Sequence, residues 1–150
     1  MRKKDEEKLV YSNLDHVGVI VKDMDKTIQY LSSLGIGPFE PPISDPALAE
    51  KWFRGEPSDW KVKIRYAKMG PVKLELIQPV EGKNANQEFL EKKGEGIQHI
   101  GFTVDDLDRE VAKLTTKGIE VIMRMKKPGG QSVYLETDTI GGILIELMQR

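Results

Sequence analysis

The sequence predicts an α+β fold built from two tandem βαβββ units, and three observations predict it. The stretch "LDHVGVIVKDMD" (14–25) recurs almost position for position as "IQHIGFTVDDLD" (97–108), placing His99 83 residues after His16. At the same spacing Gly18 matches Gly101, Asp23 matches Asp106, Leu31 matches Leu114 and Gly35 matches Gly118. The ends of the halves agree as well: "GPVKLELIQ" (70–78) resembles "GGILIELMQ" (141–149), with Glu146 71 residues after Glu75. Finally, each half passes from a β-branched apolar run to helical spacing and back to alternating strands.

In chain order, the charged segment 1–12 reads as an N-terminal arm and 13–80 as the first module. Within it "HVGVIV" is a strand, and "DMDKTIQYLSSLG" is a helix with Met24, Ile28, Leu31 and Leu34 on one face. Asp23 or Asp25 caps that helix and Gly35 stops it. Strands follow at "PFEPP", "KVKIRYAKM" and "VKLELIQPV". The first half holds 12 more residues between its matched ends than the second, and the Pro-rich segment 38–60 is where they fit. Residues 81–96 form a linker with a short helix at "NQEFLEKK", and 97–150 form the second module, the two modules making one domain over 13–150. In that module "HIGFTV" is followed by the helix "DLDREVAKLTTKG" and strands at "EVIMRMKK", "QSVYLETD" and "ILIELMQR".

Composition narrows the function. With 23 basic and 24 acidic residues the formal net charge is −1, so no global field recruits nucleic acid or an anionic membrane. Cysteine is absent, which excludes disulfides, thiolate catalysis and Cys-based zinc sites. The N-terminus has no apolar stretch of signal-peptide length and no run reaches spanning length, so a cytoplasmic protein is expected.

The duplicated positions supply two imidazoles and two carboxylates: His16, Glu75, His99 and Glu146. Because strand side chains alternate, Leu74 and Leu76 face one way and Glu75 and Ile77 the other; Ile145 and Leu147 oppose Leu144 and Glu146 in the same phase. Imidazole with carboxylate suits a divalent cation such as Zn²⁺, Co²⁺, Ni²⁺, Mn²⁺ or Fe²⁺. Four ligands on four strands, two per repeat, put that ion on the axis relating the halves. In segment 38–60, Phe39, Trp52, Phe53 and Trp60 alternate with Lys51 and Arg54, with Lys61 just beyond. Such a segment either covers the open side and clamps an anionic group, with Trp60 on the substrate, or plugs aromatics onto the core.

These motifs, "LDHVGVIV…DMD", "IQHIGFTVDDLD", "KLELIQP" and "GGILIELMQ", resemble the vicinal oxygen chelate superfamily over almost the whole chain, from about Leu14 to Gln149. It includes glyoxalase I, methylmalonyl-CoA epimerase, extradiol dioxygenases and the fosfomycin and bleomycin resistance proteins. The resemblance implies that the two modules form a cupped, incomplete barrel around one divalent metal, its ligands His16, Glu75, His99 and Glu146. It implies a metal-dependent isomerase or epimerase that moves a proton alpha to a carbonyl, with Glu146 as ligand and base and Glu75 as its partner on the opposite face. The alternatives are a glyoxalase I-type lyase and a non-catalytic ligand-binding resistance protein. The substrate expected is a small molecule, an acyl-CoA or a thiol adduct, and such folds often form homodimers. "KKPGGQSVYLETD" resembles the loop and strand that approach the ligand, which implies roles for Lys126, Lys127, Gly130 and Tyr134. One departure stands out: where some epimerases carry a separate catalytic Glu, this chain has Lys63, and no carboxylate occurs between Trp60 and Gly70.

Overall fold

The computed structural model describes residues 11–43 and 49–150, so most of the N-terminal arm lies outside the described residues. Strands β1 (Leu14–Ile20), β4 (Lys61–Met69) and β5 (Val72–Glu81) and helix α1 (Met24–Ser33) carry the first half; β2 (Glu50–Phe53) and β3 (Glu56–Pro57) lie between α1 and β4. Helix α2 (Ala85–Lys93) precedes β6 (Gly96–Thr103), α3 (Leu107–Thr115), β7 (Val121–Lys127), β8 (Gly130–Leu135) and β9 (Leu144–Gln149). All nine strands join one curled, open sheet in the order β3-β2-β7-β8-β9-β6-β1-β5-β4. The fold is α+β, two βαβββ motifs making a cupped, incomplete barrel.

The halves meet through their first strands. β1 and β6 pair antiparallel, with His16 opposite Gly101 and Gly18 opposite His99. Each first strand also pairs in parallel with the last strand of its own half, so Gly18 sits beside Glu75 and Gly101 beside Glu146.

Helices α1 and α3 cover the outer face of the cup. Leu74 and Leu76 pack with Met24, Ile28 and Leu31 under α1, while Leu147 and Ile145 pack with Leu107 and Val111 under α3. Leu147 is fully buried, and its truncation to Ala is a cavity mutation worth about 2–5 kcal/mol. Both helix starts are held twice. Asp23 and Asp106 accept from the backbone N–H of Lys26 and Arg109 as N-caps. Gln78 and Gln149, from the last strands, accept from the first-turn amides of Met24 and Leu107, each at 2.8 Å. This is the role of the repeated glutamine that closes "KLELIQ" and "LIELMQ".

The expected strand at "PFEPP" does not form. Phe39 and Ile43 make only isolated bridges, to Ala67 and Ile64 on β4. Pro38, Pro41 and Pro42 have no N–H to donate, so a continuous ladder cannot be built there. The insertion instead supplies β2, which crosses to the other half and pairs with β7, Trp52 opposite Arg124.

Candidate metal centre and ligand cavity

His16 and His99 are 1% and 0% exposed, and their Nε2 atoms lie 3.1 Å apart. The glycines explain how two rings fit between paired strands. A Cβ on Gly18 would stand 1.9 Å from the His99 ring, and one on Gly101 would stand 2.2 Å from the His16 ring. Each repeat's glycine therefore makes room for the other repeat's histidine.

The residue before each His sets its tautomer. His16 Nδ1–H donates to Asp15 Oδ2 and His99 Nδ1–H to Gln98 Oε1, both at 2.8 Å. With Nδ1 committed, each Nε2 points inward, an arrangement that orients imidazoles on metals. Asp15 is held in turn by Arg150 at 3.2 Å.

The carboxylates close on the same point. Glu146 Oε1 is 3.3 Å from His16 Nε2, and Glu75 Oε1 is 3.1 Å from His99 Nε2 and 3.7 Å from His16 Nε2. One ligand atom each from His16, His99 and Glu146 lies within 4.8 Å of the others. Glu75 Oε1 is fully buried without a hydrogen-bond partner. Burial disfavours a charge on His16, but the Glu146, Glu75 and Asp15 carboxylates outweigh it and push its pKa up to about 9. Burial likewise opposes ionisation of Glu75, yet His99, His16 and Tyr66 hold it below the usual carboxylate range. The Glu75 oxygen without a hydrogen-bond partner lies beside both imidazoles, so the cluster can accept a positive charge at its centre. Those donors fit a divalent cation.

Glu75 and Glu146 are set in the wall of a cavity of about 370 Å³ on the inner face of the cup. Glu75, Glu146, Tyr66 and Tyr134 line it together with apolar Val62, Ile64, Ile77, Met123, Met125 and Met148. The Tyr66 hydroxyl donates to Glu75 Oε2, and that of Tyr134 lies 3.4 Å from His99 Nε2. Burial first, then the nearby glutamates, raise both tyrosine pKa values far above 10, so both hydroxyls stay protonated.

Of the expected substrate residues, Trp60, Lys127, Gly130 and Tyr134 line the cavity. Lys126 does not. Strand alternation turns it with Arg124 to the other face, where it borders a shallow cleft beside Trp52. The clamp expected of Lys51, Arg54 and Lys61 is also not formed, because those cations bind the Trp60 carbonyl, Glu88 and Glu81. Lys63 is exposed, and its neighbours Val62 and Ile64 face the cavity instead. Sequence reasoning missed Arg150 and Asn86 on the cavity wall, and it missed Tyr66. Tyr66 was within reach: counting back across the Gly70–Pro71 turn puts it opposite Glu75.

A curled α+β sheet that buries two imidazoles and two carboxylates beside an open apolar cavity gives this protein a side-chain group that could hold a metal ion. Residues 15–135 match the family model described as Glyoxalase/Bleomycin resistance protein/Dioxygenase superfamily, and the chain belongs to that superfamily. It is 27% identical to the uncharacterized protein YqjC of Bacillus subtilis (strain 168) over 92% of both chains. It is 26% identical to the mitochondrial methylmalonyl-CoA epimerase of Bos taurus, over 91% of this chain and 73% of the other. Among solved structures, the Mycobacterium tuberculosis methylmalonyl-CoA epimerase superposes with a TM-score of 0.66 at 22% identity, covering 99% of this chain and 92% of that one. A variant of the Streptomyces coelicolor enzyme, in complex with 2-nitronate-propionyl-CoA, gives 0.67 at 24% identity over 93% and 97%. Among the described residues no helix is long and apolar enough to cross a membrane.

Proposed function

We propose that this protein is a metal-dependent isomerase that moves a proton on the carbon alpha to a carbonyl, with a methylmalonyl-CoA epimerase-like activity on an acyl thioester. The observation that carries the reading is the convergence of His16, His99 and Glu146, with Glu75 3.1 Å from His99, beside a cavity of about 370 Å³ whose wall carries both glutamates. Sequence similarity to an epimerase over nine-tenths of the chain supports it.

His16, His99, Glu75 and Glu146 would hold a divalent cation, which would supply Lewis acidity to a carbonyl oxygen as the adjacent carbon loses a proton. The histidines hold their Nε2 atoms in place through Asp15 and Gln98. Glu146, 5% exposed and on the cavity wall, takes the proton. The apolar walls exclude water from the exchanging carbon, and Lys127 and Arg150 offer cationic contacts for an anionic part of the substrate.

One observation favours a second reading. The cavity face of β4 carries Val62, Ile64 and Tyr66 and no carboxylate, so the strand offers no further base for a two-sided inversion. A glyoxalase-type lyase, in which one carboxylate removes and returns the proton, needs none. Both are tested by NMR in D₂O on the metal-loaded protein, with methylmalonyl-CoA and with the glutathione–methylglyoxal hemithioacetal. Deuterium entering the thioester at the alpha carbon is the expected result. Thioester turned over no faster than in buffer overturns the epimerase-like reading, and hemithioacetal turnover in its place establishes the second.

A further inference from the structure

Each candidate carboxylate ligand has a tyrosine directly across an antiparallel pair: Tyr66 faces Glu75 and Tyr134 faces Glu146. The geometry of the two pairs differs. Tyr66 donates its hydroxyl hydrogen to Glu75 Oε2 and leaves Oε1 alone to point at the imidazoles. Tyr134 instead divides its hydroxyl between His99 Nε2, at 3.4 Å, and the Glu146 carboxylate, so neither is held as Glu75 is. An oxygen already bonded to a half-buried hydroxyl is poorly placed to bind an ion or accept a substrate proton, because either requires breaking that hydrogen bond.

We propose that Tyr66 is a positioning residue that holds Glu75 as a one-oxygen ligand and withholds it from proton transfer, leaving Glu146 as the carboxylate that moves. This rests on the reading that the four side chains hold a divalent cation. It assigns unequal work to two residues that the repeat makes equivalent.

The experiment uses the full chain, stripped with a chelator and reloaded with Co²⁺, whose visible absorption weakens as coordination number rises. In Tyr66→Phe the freed Oε2 joins the ion. The expected results are a weaker Co²⁺ band and a Co²⁺ dissociation constant lower by more than about twofold, because the ion gains a second carboxylate oxygen. In a Glu75→Gln background, where the amide offers one oxygen by construction, adding Tyr66→Phe leaves the band unchanged. A band and dissociation constant in Tyr66→Phe that match the parent's within twofold overturn the proposal. Should Tyr66→Phe fail to fold, Glu75→Gln alone decides: a band like the parent's supports one-oxygen binding, and a stronger band overturns it. No Co²⁺ band in the parent protein is a different result, which removes the metal reading itself.

Discussion

Glu75 and Glu146 stand in equivalent places, each on the last strand of its half and each beside the glycine of that half's first strand. Their surroundings are not equivalent. Glu75 is bonded to Tyr66, lies 3.1 Å from His99 and is held below the ordinary carboxylate pKa. Glu146 approaches His16 at 3.3 Å and shares its facing tyrosine's hydroxyl with His99. Duplication thus supplied the positions, while the neighbours divided the labour: one carboxylate is pinned and the other can move.

The largest expected effect separates the two. Glu146→Gln should slow alpha-proton exchange about 10³-fold while Co²⁺ stays bound, since a positioned general base contributes that order of rate. Glu75→Gln, at saturating metal, should slow it less than tenfold. Equal losses, read by deuterium incorporation, would break the comparison. Next come the glycines that couple the halves. A methyl group on Gly18 or Gly101 displaces the histidine of the other half, so Gly18→Ala and Gly101→Ala should each weaken Zn²⁺ binding on the order of 100-fold. Chelator competition measures this, and circular dichroism checks that the fold survives. A glycine variant that binds Zn²⁺ like its parent would show that the rings have more freedom than their packing indicates.

A smaller effect reads the charge at the centre. His16 rises from 6.5 to about 9 on folding, so its protonation stabilises the metal-free protein fully below pH 6.5. That stability is lost as pH climbs through 9. The melting temperature of metal-free protein should fall by roughly 5 °C across that window. Zn²⁺-loaded protein, where the cation takes the proton's place, should show no such decline, and a flat profile without metal would contradict the assignment. The smallest effect lies on β7. Lys127→Ala should raise KM about threefold, the scale of one exposed ion pair, and Lys126→Ala should leave it unchanged. The reverse order would place the substrate on the outer cleft.

Much of the centre was legible because strand alternation and an exact repeat are both local rules. The two histidines and two glutamates could be paired by spacing alone, and alternation chose their face. The polar residue before each His, Asp15 and Gln98, repeats as visibly as the histidines, although its grip on Nδ1 shows only in three dimensions. Tyr66 was countable from a tight turn. Tyr134 was not, because the connection between β8 and β9 is long and leaves the register open. The failure at "PFEPP" has the opposite cause. Apolar content suggested a strand, but a ladder needs amide donors that three prolines lack.

By itself, then, the sequence determined the duplicated plan and which strand side chains share a face, since these follow from periodicities of two and 3.6 residues. Tertiary structure alone decided that His16 is seated over Gly101 and His99 over Gly18, and that β2 crosses to β7. Those outcomes depend on how two distant strands register against each other, and packing sets that register only when the whole sheet has closed.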